Sequence, residues 1–309
     1  MKKIQTSSQF APIVLFTYNR LEHTKKTIES LQKNDLAKES LLFIYSDAAK
    51  RDSEEEQVGE VRKYLNTIKG FHKVTVIKRK SNYGLARNII SGITEIVNTY
   101  GKVIVLEDDL FLSPHFLTYM NKSLSKYEKD EKVMHISAFM FPIEIMNKDD
   151  ALFLPLINSW GWGTWRRSWK KMLDTKEKIS KAKTMIDIEK FNFYGAYDFF
   201  SLLTGYEKEL YDSWAIVWYL TVFSQNGLAL FPRETLVENS GFDESGTNTG
   251  SSPFLSGYMN TDFQVQKYPK SIIFEKSKTN IHKKIQRFYE VMNENSILQR
   301  VMFHFRKTI

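Results

Sequence analysis

Hydrophobic and polar positions along the first third of the chain follow two alternating rhythms. Short uninterrupted apolar runs occur at Pro12-Ile13-Val14-Leu15-Phe16-Thr17, at Leu41-Leu42-Phe43-Ile44-Tyr45, at Val74-Thr75-Val76-Ile77 and at Val103-Ile104-Val105-Leu106. Runs of this length, apolar at every position, read as strands buried on both faces. Between them, residues 21–33, 52–68 and 85–100 carry apolar side chains at helical spacing: Ile28 and Leu31 in the first, and Val58, Val61 and Leu65 in the second. Strand and helix in strict alternation, with short connections, predict an α/β fold. Its core is a mostly parallel, doubly wound sheet with helices on both faces.

The order then changes. Pro114 opens a helix predicted to reach about residue 127, and Val133-Met134-His135-Ile136-Ser137 reads as a further strand. Residues 160–169 hold four tryptophans among glycines and read as a turn region. Residues 212–225 form a strongly apolar helix, followed by the strand Leu228-Ala229-Leu230-Phe231. Residues 240–257, rich in Gly, Ser, Thr and Asn, read as a mobile loop. The simplest division is one catalytic domain over residues 1–268 and a basic amphipathic helical tail over 269–309.

Composition narrows the function. Of the 309 residues, 42% are hydrophobic, enough for a substantial core, and none is Cys. Disulfides, thiolate metal sites and cysteine nucleophiles are excluded. The first nine residues lack an apolar core after their lysines, and no run of 18 apolar residues occurs. Neither a secretory signal nor a spanning helix is expected, and the cytoplasm is the expected location. The net charge is +8, of which residues 270–309 carry +6 through nine Lys/Arg against three Glu. A basic tail calls for an anionic partner, a membrane surface or a nucleic acid. The basic residues lie apart from the tryptophans, which disfavours nucleic acid. Ile281, Ile285, Phe288 and Met292 fall on one helical face, continued by Leu298, Val301, Met302 and Phe305. Residues 281–307 therefore read either as an interfacial helix on an anionic membrane or as a helix packed on the domain or a second subunit.

The densest chemistry lies at the strand ends. The fourth strand stops in Glu107-Asp108-Asp109, and three adjacent carboxylates repel one another unless something positive joins them. A hard divalent cation bridging to a phosphate is the economical partner. The other strands end in Thr17-Tyr18-Asn19-Arg20, in Ser46-Asp47 and before Asn82-Tyr83-Gly84. Parallel strands bring all of these to one edge of the sheet, where ligands of open α/β sheets bind. No GxGxxG follows the first strand and no GxxxxGK[ST] occurs, so any phosphate must be met by side chains and metal.

Taken in order, Phe16-Thr17-Tyr18-Asn19-Arg20, Asn82-Tyr83-Gly84-Leu85-Ala86-Arg87-Asn88, Glu107-Asp108-Asp109-Leu110, Trp160-Gly161-Trp162-Gly163, Asp212-Ser213-Trp214 and Asn239-Ser240-Gly241-Phe242-Asp243 carry a resemblance. Over roughly residues 11–250 the chain resembles nucleotide-sugar-dependent glycosyltransferases of the GT-A fold. The bacterial family 2-like enzymes are most similar, with a further likeness to the N-acetylglucosaminyltransferase I type. The resemblance implies roles. Thr17, Asn19, Arg20, Asn82 and Gly84 would line the donor site. Asp47 would face the nucleobase, favouring UDP; its competing reading is a helix N-cap. Arg87 and Asn88 would meet base, ribose or phosphate. Asp108 would approach the ribose, Asp109 would bind Mn²⁺ or Mg²⁺ bridging the diphosphate, and Glu107 would orient the sugar. Trp160, Gly161 and Trp162 would line the pocket, with Trp165 and Trp169 in the core. Asp212 would be the general base, and a single acid on the acceptor side implies inversion. The late loop lacks the histidine that related enzymes bring to the metal. Asn248 is the candidate in its place.

These readings converge on a metal-dependent inverting glycosyltransferase. It would move a hexose or N-acetylhexosamine to a sugar acceptor, lipid-linked in one version, in bacterial surface polysaccharide synthesis (lipopolysaccharide or capsule). A peripheral membrane location and a homo-oligomer are compatible with this. The alternative is a non-catalytic nucleotide- or glycan-binding protein on the same fold.

Overall fold

The computed structural model describes residues 9–146, 148–241, 258–274 and 280–291. Strand β1 (Ile13–Thr17), helix α1 (Leu21–Gln32), β2 (Leu41–Ser46), α2 (Glu55–Leu65), β3 (Lys73–Lys78), α3 (Leu85–Tyr100) and β4 (Lys102–Glu107) follow one another as the periodicity predicts. Next come β5 (Leu110–Leu112), α4 (Phe116–Lys126), β6 (Val133–Ser137), β7 (Ala151–Leu154), β8 (Trp162–Trp165) and α5 (Arg166–Trp169). Helices α6 (Lys176–Thr184), α7 (Ile188–Phe191), α8 (Phe199–Glu207) and α9 (Trp214–Ser224) precede β9 (Leu228–Pro232) and β10 (Val237–Asn239).

The main sheet has eight strands in the order β3-β2-β1-β4-β8-β6-β9-β7, and β10 pairs with β5 in a separate ribbon. Strands β1 to β4 run parallel. Alternate residues of each strand feed opposite faces. Ile13, Leu15, Ile104 and Leu106 enter the larger core, whereas Val14, Phe16, Val103 and Val105 enter a second core under α3 and α9. Burial on both faces is why β1, β2 and β4 appear as unbroken apolar runs, whereas β3 lies at the sheet edge and is only half-buried.

The tryptophan-rich segment is a strand and a short helix rather than a turn region. Strand β8 enters the centre of the sheet antiparallel to both β4 and β6. Gly163 lets it do so, because a Cβ there would lie 3.0 Å from the Val103 carbonyl and from the Met120 methyl. Four residues, one of them glycine, are too few to show a strand period. Strand β7 and helices α6 to α8 also had no counterpart in the sequence pattern.

Trp162 packs against His135 (ring centroids 5.0 Å), Trp214 (5.3 Å), Trp169 (6.0 Å) and Trp218 (6.2 Å). Within this stack, the Trp218 Nε1–H donates to His135 Nδ1 over 3.2 Å, and His135 Nε2 lies 3.1 Å from the Asn158 carbonyl. An indole only donates and a carbonyl only accepts, so the ring is the neutral Nε2–H tautomer. The apolar surroundings push its pKa down to about 3.

Residues 281–291 pack on the domain through their apolar side chains. Residues 281–291 are helical, and Ile281 and Ile285 belong to the larger core. Phe288 packs on Phe141 at 5.5 Å and Tyr289 on Tyr197 at 4.4 Å. The apolar side expected to face a membrane is covered by protein over this stretch; residues 292–307 lie outside the described residues. Among the described residues no helix is long and apolar enough to cross a membrane.

The depressed His135 pKa has a definite sign for stability. The unfolded chain takes up a proton near pH 6.5 and the folded one does not, so protonation favours unfolding. The contribution is complete above pH 6.5 and is lost progressively as pH falls towards 3. In ¹⁵N NMR, His135 is expected to stay in the Nε2–H form from pH 8 to pH 5. A titration centred near 6.5 would contradict the buried tautomer.

Candidate functional site

The strand register brings the polar ends together. Thr17 lies opposite Ser46, Ser46 opposite Lys78, and Phe16 opposite Glu107. Glu107, Asp108 and Asp109 therefore emerge beside the β1–α1 turn. Arg20, at the N-cap of α1, reaches across. Its Nη2 bonds Asp108 Oδ1 at 2.6 Å and Asp109 Oδ2 at 2.8 Å. The Tyr18 backbone N–H adds a contact of 3.3 Å to Asp108 Oδ2.

Helix α1 braces the acidic turn through small hydroxyls. Thr27 Oγ1 donates to the Asp108 carbonyl (2.8 Å) and accepts from the Leu110 N–H (3.1 Å), while Ser30 Oγ accepts from the Leu112 N–H (3.2 Å). From the other side, the Ser240 N–H and hydroxyl both donate to the Asp109 carbonyl, at 2.7 and 3.0 Å. Gly241 follows so closely that a Cβ there would sit 2.5 Å from Asp109 Oδ2.

Charge at this turn is unbalanced. Asp108 and Asp109 are 5% and 8% exposed, and one guanidinium pairs with two of the three consecutive carboxyl groups. Burial, then Asp109 and Asp108, push the Glu107 carboxyl up to about 8 against the weaker pull of Arg20. Burial likewise raises Asp108, opposed by Arg20. The two aspartates raise the Arg20 pKa in turn, outweighing the burial that would lower it. An oxygen-rich turn that holds a proton for want of positive charge fits a hard divalent cation. Among the described residues no three His, Asp or Glu side chains form a closed cage, so a cation here would need further oxygens from its ligand and from water. Asn248 lies outside the described residues.

Two polar atoms at this edge are buried with no hydrogen-bond partner among the described residues: Thr17 Oγ1 and Arg20 Nη1. Leaving such groups unpaired costs about 1–3 kcal/mol each, which a polar ligand at this edge would relieve.

Asp47, expected to face the nucleobase, is engaged by backbone groups. Its carboxylate accepts from the backbone N–H groups of Ala48 (2.9 Å), Tyr83 (2.9 Å) and Gly84 (3.0 Å), and it is 5% exposed. Asp47 thus fixes the turn that precedes α3 without being a helix N-cap, a position that Gly84 holds. Gly84 is the N-cap at φ +71°, a left-handed conformation glycine tolerates. Asn82 Nδ2 donates to the Ala48 carbonyl at 2.7 Å, and Asn19 Nδ2 lies 3.5 Å from Gln57 Oε1. Asn88 is buried and accepts from Arg79 Nε at 2.9 Å. Arg87 lies over the Tyr83 ring at 4.1 Å, and Arg79 lies 4.6 Å from the same ring.

Trp162 is corrected by its burial. It is 0% exposed inside the aromatic stack and does not face the open edge. Gly161, at φ +60°, reverses the chain there, with Phe116 2.9 Å from where a Cβ would be. Trp160 remains half-buried, edge-on to Phe139 at 4.6 Å. Asp212 is exposed, two residues before α9, and its carboxylate has no hydrogen bond or ion pair among the described residues. Trp214 stacks on Trp162, and Trp162 pairs with Val105 near the end of β4.

Sequence reasoning missed Arg62 and Arg79. Arg62 Nη2 bonds the Asp47 carbonyl at 3.1 Å and the Arg79 carbonyl at 2.9 Å, closing the ends of β2 and β3. Arg79 directly follows β3, so the strand-end rule applied there would have found it. Arg62, on a surface-type helix, gives no such signal.

Residues 13–202 match the sequence model of Glycosyl transferase family 2. No curated protein matches the chain in sequence. One similar solved structure is a mannosyltransferase, PcManGT from Pyrobaculum calidifontis, in complex with GDP-Man and Mn²⁺. It is 11% identical with a TM-score of 0.38, and the match covers 72% of each chain. Another is TarS of S. aureus, 10% identical with a TM-score of 0.42, covering 75% of this chain and 36% of TarS. The chain thus spans about a third of the length of TarS.

Replacing Arg20 by Met strands two buried carboxylates, and stability should fall by about 3–5 kcal/mol in urea unfolding. Mn²⁺ should raise the melting midpoint of that variant more than that of the parent, since the cation then meets no competing guanidinium. Equal shifts in the two proteins would count against a cation at this turn.

Proposed function

The chain belongs to glycosyl transferase family 2, and from that premise we propose a specific reaction for it. It transfers a hexose or N-acetylhexosamine from a nucleoside diphosphate sugar to a saccharide hydroxyl, inverting the anomeric centre. The observation that carries this reading is the Arg20–Asp108–Asp109 assembly with its two unpaired polar atoms. It offers a guanidinium, a hydroxyl and carboxylates at the edge where α/β sheets receive phosphates.

Arg20 Nη1 and Thr17 Oγ1 would donate to the diphosphate, with Arg79 and Arg87 near the nucleoside. Asp109, helped by Glu107 and by phosphate oxygens, would hold Mn²⁺ or Mg²⁺. Such an ion, when bound, supplies positive charge as the leaving diphosphate gains negative charge. Asp212 would take the proton from the acceptor hydroxyl as its oxygen attacks the anomeric carbon. The bond from that carbon to the diphosphate oxygen breaks on the opposite side. The Asp212 carboxylate is already free of partners, as a base awaiting a hydroxyl must be. Membership of a transferase family favours the enzyme over the non-catalytic alternative.

In a thermal-shift panel of nucleotide sugars with Mn²⁺, at least one donor should raise the midpoint, since a ligand of the native state stabilises it. Asp109→Ala should lose the metal-dependent part of that shift. Asp212→Asn should keep the shift while kcat falls about a hundredfold to ten-thousandfold. Unimpaired transfer by Asp212→Asn would remove it as the base.

A further inference from the structure

Beside Asp212 lies a crevice of about 510 Å³, walled by Lys176, Tyr206, Glu207, Glu209 and Tyr211 from α6, α8 and the turn before α9. Its volume falls in the range of small-ligand sites, about 300–1,000 Å³. Tyr211 is held in place. Its hydroxyl donates to the Leu202 carbonyl, and its ring lies across α8 where Gly205 leaves room. A Cβ at Gly205 would come within 2.8 Å of the Tyr211 ring. The ring is therefore 38% exposed yet anchored, a flat apolar platform whose ordering cost is already met by the fold. Tyr206 lies near enough to Asp212 that the carboxylate, after burial, helps keep its phenol protonated.

Charge in the crevice is spent internally. Lys176 pairs with Glu209, and Lys183 pairs with Glu207 at 2.5 Å. Among the described residues the unpaired charge left is the carboxylate of Asp212. The paired glutamates retain oxygen lone pairs for hydroxyl donors. No unpaired cation is left over for an anionic ligand, and with both ion pairs counted as neutral the crevice keeps one net negative charge, which disfavours an anion. The opposite holds at the strand ends, where Arg20 keeps an unpaired nitrogen and Arg79 and Arg87 flank the Tyr83 ring.

We propose that this crevice is the acceptor subsite, that Tyr211 is its stacking platform, and that it takes uncharged saccharides and rejects acidic ones. The proposal rests on the transferase reading, because Asp212 gives the crevice its reactive end. A sugar ring laid on Tyr211 by its C–H face would present hydroxyls to Glu207 and Glu209 and one hydroxyl to Asp212. The aromatic wall supplies affinity, and the carboxylates supply discrimination.

The test uses the full chain with Mn²⁺ and nucleoside diphosphate on an array of immobilised neutral and acidic oligosaccharides. Binding should be confined to neutral glycans. Tyr211→Ala should lower it about tenfold, and Tyr211→Trp, which keeps a platform, should restore most of it. Gly205→Ala, which pushes the ring aside, should act like Tyr211→Ala. Acidic glycans bound as well as neutral ones would overturn the proposal. So would full binding by Tyr211→Ala, or no glycan bound by the parent protein. A thermal-shift measurement with nucleotide sugars on the same samples separates the two readings. If a donor still stabilises the parent protein, only the subsite fails; if none does, the transferase reading fails with it.

Discussion

The Arg20 guanidinium, shared between Asp108 and Asp109, is the contact on which the functional edge of this protein depends. Three consecutive carboxyl groups at the end of a buried strand are self-repelling. One arginine on the neighbouring turn makes the arrangement tolerable without fully neutralising it. The remainder shows as the raised Glu107 carboxyl and as an Arg20 nitrogen that finds no acceptor. The edge is folded but electrically incomplete, which is the condition expected of a surface that awaits a ligand with charges of both signs.

Around that contact the scaffold is built from uncharged or internally spent groups. Thr27 and Ser30 hold the acidic turn by hydroxyls, Ser240 holds it from the far side, and Asp47 spends its carboxylate on backbone N–H groups. Arg62 spends its guanidinium on carbonyls in the same way. Charged side chains at an active edge thus divide into those that fix the backbone and those left available. Hydrogen-bond accounting, not residue type, tells them apart.

That distinction explains what was legible in the sequence. The alternation of β1 to β4 with α1 to α3 was readable because burial on both faces leaves β1, β2 and β4 as unbroken apolar runs. The strand-end cluster followed from topology alone. Asp47 was readable as a polar strand end, but its saturation by Ala48, Tyr83 and Gly84 depends on a turn that no local pattern encodes. Trp162 resembled a pocket wall because tryptophan beside glycine suits a sugar; a strand inserted antiparallel from about 60 residues away turned it into core. Tyr211 gave no signal, since its value comes from lying over Gly205 on a helix with no clear period.

Strand β8 also has a consequence for how the protein holds together. It is the seam between the parallel half, β3-β2-β1-β4, and the later half, β6-β9-β7. The arginine-bearing turns hang from the first half, whereas α9 and Asp212 are tied to the seam through Trp214 and Trp162. Four residues therefore act as a ruler between two groups of opposite chemistry. Because the seam must join both halves before either buries its inner edge, the halves gain cooperativity from each other. The two halves of the sheet are thus joined through one short strand.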